Sequence, residues 1–381
     1  MTTLAAVMEA PDTEPAVAIA PTDPLAISFT SGTTGPSKGV LACHEHVLTF
    51  AEDWIKACHY KAGQAIFSCL PLFHAIAAWL GVVPALIAGG RIAIAPRFSA
   101  SSFWDEVRAA KADVAHGIFS MVPILLKQPE RPEDRDQPAR LFYLGQHSDA
   151  FEQRFNCRVV EVYGATETGI VTVTPSDERA RPGSCGKPNL DTFDVIIANE
   201  CDEPVGVGEV GEILVRPRRP FVMLRGYYNA PEATLEAFRN LWFHTGDNAR
   251  ADADGYLYFV DRKKDSIRRR GENISSWEVE VVLNRHPAVL ESAVIAVPSE
   301  LGEDEVKAVV VLKGDAKATA AELWTFCEAN MPRFWVPRLI EFRPHMPKTP
   351  NQKIQKYLLR KGEDIGEVHD RGAIGPAGRG H

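Results

Sequence analysis

Apolar positions along the chain recur in two rhythms. Short uninterrupted runs at Leu25-Ala26-Ile27 and at 91–95, 114–119, 141–144 and 159–162 have the length and texture of buried strands. Between them lie helical spacings. Val47, Phe50, Trp54 and Cys58 recur at helical intervals and predict a helix over 46–58. Ser102 with Asp105 predicts a capping-box start for a helix running to about 112. Strand and helix alternating in this way predict an α/β fold, a largely parallel sheet covered by helices. From 184 the rhythm changes. Phe193, Val195 and Ile197 alternate, 212–215 follows a glycine-rich turn, and Asp254-Gly255 precedes an apolar run at 256–260, a hairpin signal. That stretch, 184–261, predicts a β-rich subdomain. Beyond 265 the pattern returns to α+β: Ser275 with Glu278 and Thr319 with Glu322 open helices, and 292–297, 306–312 and 339–342 read as strands. The Ala/Pro-rich residues 1–22 predict a loose lead-in, and the glycine-rich, charged 361–381 a disordered tail.

With 381 residues the chain has room for two or three domains. A net charge of −8 argues against a general nucleic-acid binder. Seven cysteines without a C-x-x-C pair point to reduced, mostly buried thiols. His44-Glu45-His46 beside Cys43 does not read as a metal site, because residues two apart do not share a helix face; solvated histidines are expected there. No run is long enough to span a bilayer, and 1–17 lacks the basic start and apolar core of a signal peptide, so the expected location is the cytoplasm. Nothing in the sequence decides whether the chain forms a homo-oligomer.

The densest chemistry lies in SFTSGTTGPSKGV, residues 28–40. Thr30, Ser31, Thr33 and Thr34 supply hydroxyls, and Gly32 and Gly35 let backbone amides approach an anion. Lys38 adds a mobile positive charge suited to terminal phosphate oxygens. The loop fails the Walker A test, since Ser37 stands five beyond Gly32 and Gly39 follows Lys38, and it holds no G-x-G-x-x-G. A strand before it and a helix after it predict a phosphate site near a helix N-terminus.

TSGTTGPSKG resembles, nearly letter for letter, the phosphate loop of the adenylate-forming enzymes: acyl-CoA synthetases, carrier-protein adenylation domains and beetle luciferases. Four further stretches match in family order. YGATETG, 163–169, is similar to the nucleotide and metal motif, which implies Tyr163 against adenine with Gly164 also in the nucleotide site, Thr166 on an α-phosphate oxygen, and Glu167 as a Mg2+ ligand with Thr30 as a second oxygen. In 242–247 (WFHTGD), Asp247 offers two oxygens on one planar group; a turn-capping role is the ordinary fate of such an Asp, and the resemblance implies instead a grip on ribose hydroxyls. In 260–274 the resemblance implies Arg262 on ribose and phosphate, Lys264 as an interdomain hinge, and Gly271-Glu272-Asn273 beside the pantetheine arm of CoA. In 347–356, Lys353 matches the lysine that swings into the large domain and bridges carboxylate and α-phosphate. His74 reads as a satisfied core histidine from its apolar surroundings, and as a gate at the acyl pocket from the resemblance.

The resemblance covers roughly 22–360 and implies this organisation: 23–183 as the α/β part of an adenylation domain, 184–261 as its β subdomain, 262–264 as hinge and 265–360 as a mobile C-terminal domain. Family members carry a domain-sized segment before the phosphate loop, which here begins at residue 28. The chain is therefore expected to hold a partial, N-terminally truncated large domain with exposed sheet edges and an open apolar face. Gly145-Gln146-His147 replaces the family's Gly-Ala-Pro-type element, which bears on the pocket's shape. The implied activity is that of an AMP-forming acyl-CoA ligase using ATP, Mg2+, CoA and a carboxylic acid. The C-terminal wording at 331–342 and 346–356 is most similar to the fatty-acid and crotonobetaine/carnitine branch. A carrier-protein acceptor, a nucleotide-binding fragment without activity, and a simple ATPase are the alternatives.

Overall fold

The computed structural model describes residues 9, 16–30, 38–118, 121–143, 147–175, 177–263, 265–269, 272–299, 304–314, 316–349, 354–362 and 365–372. Its first element is an antiparallel hairpin, β1 (Pro24–Phe29) on β2 (Gly39–Cys43). Helix α1 (His44–Cys58) follows directly and ends on His59 in the left-handed region.

The centre of the large lobe is a five-stranded, all-parallel sheet of β3 (Ala65–Ser68), β4 (Arg91–Ile94), β5 (Val114–His116), β6 (Leu141–Tyr143) and β7 (Arg158–Val160), in the order β4-β3-β5-β6-β7. Side chains alternate across a strand, so neighbours in sequence enter opposite layers. Phe67, Ala115 and Phe142 pack under α2 (Phe103–Ala110) and α3 (Asp149–Phe155), with Phe103, Trp104, Phe151 and Phe155. Ile66, Val114, Leu141 and Tyr143 face the other way, onto Phe50, Trp54 and Leu80. Both layers are closed by aromatic rings packed edge-on or tilted, as between Phe67 and Phe103 at 5.4 Å and Trp54 and Tyr60 at 5.4 Å.

Next comes the hairpin β8 (Val162–Ala165) and β9 (Gly169–Val173), joined to β10 (Lys187–Pro188). Five strands then form an antiparallel sheet: β11 (Phe193–Ala198), β12 (Gly211–Pro217), β13 (Phe238–Arg239), β14 (Trp242–Ala251) and β15 (Leu257–Arg262). The remainder is a smaller α+β unit. A two-stranded ribbon of β16 (Ile267–Arg269) and β17 (Glu272–Ile274) precedes α4 (Ser276–Leu283). A sheet of β18 (Val289–Pro298), β19 (Asp304–Leu312), β20 (Leu339–Phe342) and β21 (Glu367–Asp370) carries α5 (Ala320–Asn330) and α6 (Lys356–Lys361). Ser275 and Thr319 cap α4 and α5 through their side chains, and at Thr319 the reciprocal Glu322 bond completes the box.

Several sequence expectations change. The phosphate loop connects two strands and not a strand and a helix: five residues of β2 separate Lys38 from α1. Their alternation, with Val40, Ala42 and Cys43 buried, is a strand pattern too short to stand out beside the helix that follows. His46 is not solvated. It lies four residues before Phe50, on the buried face of α1, stacked on that ring and edge-on to Trp79 at 5.7 Å. β4 is the edge of the sheet, with Arg91 and Ile94 exposed, and not a buried strand. The Ser102–Asp105 box does not form; Ser102 donates to Glu106 instead, at 2.6 Å. The region read as a disordered tail contributes β21, whose Asp370 pairs with Arg338 at 3.0 Å; residues 373–381 lie outside the description. The cysteines carry no disulfide, and six of the seven are buried, Cys201 being exposed.

Candidate active site

Three elements converge on one place. The first is the tip of the β1–β2 hairpin. Thr30 N donates to the Lys38 carbonyl at 3.0 Å and its hydroxyl reaches the same oxygen at 3.4 Å, so the two ends of the loop are clasped. Ser31, Gly32, Thr33, Thr34 and Gly35 lie outside the described residues. Gly39 admits no side chain, since a Cβ there would stand 2.8 Å from Ile27. A third run, 225–228, flanks β2 through bonds from Leu41 N to Gly226 O, Arg225 N to Leu41 O, and Tyr228 N to Gly39 O, at 3.0, 3.0 and 2.7 Å. This run carries Tyr227, and Lys38 Nζ sits 4.7 Å from the centre of its ring.

The second element is the turn between β8 and β9, which holds Thr166 and Glu167. Leu224 N donates to Glu167 O at 2.8 Å, and Tyr227 Oη donates to Glu167 Oε1 at 3.1 Å. Burial raises the pKa of the Glu167 carboxyl, while the Tyr227 bond and the charges of Arg262 and Lys38 oppose the rise. Gly164 is required by packing. A Cβ there would lie 2.0 Å from the Gly169 carbonyl oxygen across the bulged hairpin.

The third element pairs Asp247 on β14 with Arg262 on β15, opposite each other in the ladder. Arg262 Nε lies 3.3 Å from Asp247 Oδ1, and Tyr163 Oη donates to Asp247 Oδ2 at 2.7 Å. Tyr163 thus reaches the Asp247 carboxylate with its hydroxyl, and burial beside Asp247 pushes that phenol well above its ordinary pKa. The turn before Asp247 uses Gly246 at φ +72°, a conformation that favours glycine, and Gly246 N donates to buried Glu212 at 3.0 Å. His74 caps the short helix Ala75–Ala77, its Nδ1 accepting from Ile76 N at 3.2 Å.

Lys264, Gly271 and Lys353 lie outside the described residues, as do the side chains of Glu272 and Asn273. Two contributors escaped the sequence reading. Tyr227 sits in a segment with no periodicity, its only signal being a Gly-Tyr-Tyr run just ahead of a Pro-led helix, Pro231–Ala237. Glu212 entered the sequence reading only as the start of a strand after a glycine-rich turn, and it is buried and joined to Gly246 and Lys263. As for a metal, no group of three or more ligating side chains occurs among the described residues. A single half-buried carboxylate, Glu167, with hydroxyls close in sequence, fits the mode in which magnesium takes most of its shell from phosphates and water.

The family model described as "AMP-binding enzyme" matches residues 2–228, and that of the "AMP-binding enzyme C-terminal domain" matches 278–353. The class is therefore that of the adenylate-forming enzymes, and the chain belongs to the AMP-binding enzyme family. It is 36% identical over 358 residues to a crotonobetaine/carnitine–CoA ligase of Salmonella paratyphi B, covering 90% of this chain and 68% of that protein. Among solved structures, ATP-bound MatB from Rhodopseudomonas palustris superposes with a TM-score of 0.85 at 27% identity, covering 94% of this chain and 72% of that one. Apo MatB, with the same identity and coverage, gives 0.69. This chain is an AMP-forming ligase of the acyl-CoA synthetase type.

Proposed function

We propose that the chain activates a carboxylic acid with ATP as an acyl-adenylate and transfers the acyl group to CoA. The observation that carries this is the position of Glu167. Its carboxylate accepts from Tyr227 Oη at 3.1 Å, and Lys38 sits 4.7 Å from the centre of that ring. Arg262, paired with Asp247 at 3.3 Å, lies near enough for its charge to act on the same carboxylate. A nucleotide lying between those two cations spans ribose to polyphosphate, and the carboxylate stands where the phosphates would pass.

In the first step a substrate carboxylate oxygen attacks the α-phosphorus, and the bond to pyrophosphate breaks. Asp247 and Arg262 hold the ribose, and Thr30 to Gly35 with Lys38 hold the β- and γ-phosphates. Thr166 donates to an α-phosphate oxygen. Glu167, with Thr30 as second oxygen, would hold magnesium, which neutralises phosphate charge when bound. Lys353 bridges the carboxylate and the α-phosphate; one donor aimed at developing charge is worth about 10² to 10³ in rate. In the second step the small unit turns about Lys264, Lys353 withdraws, and the Gly271-Glu272-Asn273 segment receives pantetheine. The CoA thiolate then attacks the acyl carbon and AMP leaves. His74, held by its cap bond, borders the acyl entrance. The relatives' names make crotonobetaine and carnitine the first acids to try, ahead of fatty acids.

The test is ATP–pyrophosphate exchange over a panel of acids, followed by thioester assay with free CoA. Acid-dependent exchange and AMP release are expected. ADP release would contradict the reading, and acyl transfer only to a carrier protein would change the acceptor. Lys353→Ala should abolish exchange yet spare thioester formation from supplied acyl-adenylate; equal loss in both half-reactions would refute its role.

A further inference from the structure

The ribose pair and the small unit meet at one buried side chain. Asp261, 4% exposed, directly precedes Arg262 on β15. Its Oδ1 accepts from Arg262 N at 2.7 Å, which fixes the backbone from which the ribose-facing guanidinium extends. Its Oδ2 accepts from Ser276 N at 2.5 Å, in the first turn of α4. One carboxylate therefore ties the residue that pairs with Asp247 to the first helix of the small unit. These two bonds bracket the segment 262–264 read as the hinge.

The join is reinforced on both sides. Ser275 donates from its hydroxyl to Val260 O at 2.6 Å, and Trp277 packs edge-on to Phe259 at 6.2 Å. Ser276 Oγ accepts from Lys356 Nζ at 2.7 Å, and the same ammonium pairs with Glu280 at 2.7 Å. Lys356 opens α6, directly after the loop that carries Lys353. The arrangement of the whole chain is also nearer to ATP-bound than to apo MatB, with TM-scores of 0.85 against 0.69.

We propose that Asp261 is a positioning residue that couples nucleotide occupancy at Asp247–Arg262 to the seating of α4, and through Ser276 to Lys356 at the start of α6. A ribose that orders Arg262 orders the Asp261 carboxylate, and the carboxylate in turn holds the α4 N-terminus. Turning of the small unit requires the Ser276 and Val260 bonds to break. The coupling rests on the nucleotide reading of the site given above.

The experiment uses AMP as probe and amide hydrogen exchange of residues 277–280 in the full chain. In the wild type, saturating AMP should slow that exchange by about tenfold, the effect of one hydrogen bond to a charged group. Asp261→Asn places an amide donor against one of the two N–H groups. It should still bind AMP, with the protection reduced to about twofold or less. Ser276→Pro, tolerated at the first helical position, removes only that N–H from the backbone and should act alike. Ser276→Ala keeps the N–H and should retain the protection, so the pair separates the bond from the fold. AMP binding with undiminished protection in both Asp261→Asn and Ser276→Pro would overturn the coupling. Absence of AMP binding by the wild type would overturn the nucleotide reading itself, and the coupling with it.

Discussion

Asp247 meets two demands with one carboxylate. Tyr163 and Arg262 hold its oxygens from the protein side at 2.7 and 3.3 Å, which fixes the plane of the carboxylate that we propose grips the ribose. Asp247→Ala should lower AMP affinity by about 10- to 100-fold, the loss of one or two charge-assisted hydrogen bonds. Isothermal titration measures this, and unchanged affinity would refute the ribose role. Tyr227 is the less obvious partner. Tyr227→Phe removes the donor to Glu167 and leaves the ring under Lys38, so it should weaken ATP binding more than AMP binding. Equal loss for the two nucleotides would place Tyr227 outside the phosphate end of the site.

At the scale of elements, the β8–β9 hairpin depends on the absence of a side chain at residue 164. Gly164→Ala drives a Cβ to 2.0 Å from a backbone oxygen, where no side-chain rotation relieves it. The hairpin must open, carrying Thr166 and Glu167 with it. Nucleotide binding should be lost together with about 2–4 kcal/mol of stability, measured by denaturant unfolding. Such details explain which parts of the fold and site could be read from sequence. The parallel sheet was legible because β5, β6 and β7 are short apolar runs between helical spacings, while β3 was not read as a strand. The caps of α4 and α5 were legible because a hydroxyl and a carboxylate three residues apart have one common use. Tyr163, Glu167, Asp247 and Arg262 were legible as a resemblance. Their convergence was not, because it depends on ladder register between β14 and β15 and on the 225–228 run lying beside β2. β2 itself was hidden by its five-residue length, and β21 by charge and glycine that suit an edge strand as well as a tail. Buried His46 was misjudged because spacing to His44 was weighed, when spacing to Phe50 decides its face.

Over the whole molecule, buried ionisable groups set the pH limits of stability. His46 and His116 are fully buried, have no partner for either ring nitrogen among the described residues, and are pushed down by burial to about 3 from 6.5. The unfolded chain takes up those protons as pH falls below 6.5 while the folded one does not. Stability is therefore lost between 6.5 and 3. Glu161, also fully buried, is raised by burial from 4.5 to about 8. There the unfolded chain loses its proton first, so stability falls as pH rises from 4.5 to 8. Below 6.5 the two histidines oppose Glu161, and above 6.5 Glu161 acts alone among these three groups. Glu161→Gln should flatten the alkaline side by on the order of a few kcal/mol, as read from unfolding midpoints across pH. A profile unchanged by the substitution would show that Glu161 ionises normally. Among the described residues no helix is long and apolar enough to cross a membrane. Leu86, Ile87 and Ile94, on and beside edge strand β4, and Leu25, Ile27 and Phe29 on β1 are exposed apolar side chains.

The central claim is that Lys38, Glu167, Asp247 and Arg262 form one cradle for a single nucleotide. Calorimetric titration of ATP and AMP, with magnesium present, into wild type, Lys38→Ala and Asp247→Ala tests it most directly. The account predicts saturable binding of both nucleotides to the wild type, loss of both in Asp247→Ala, and loss of ATP but not AMP affinity in Lys38→Ala. Wild-type protein that takes up neither nucleotide, or variants that leave both affinities unchanged, would contradict it.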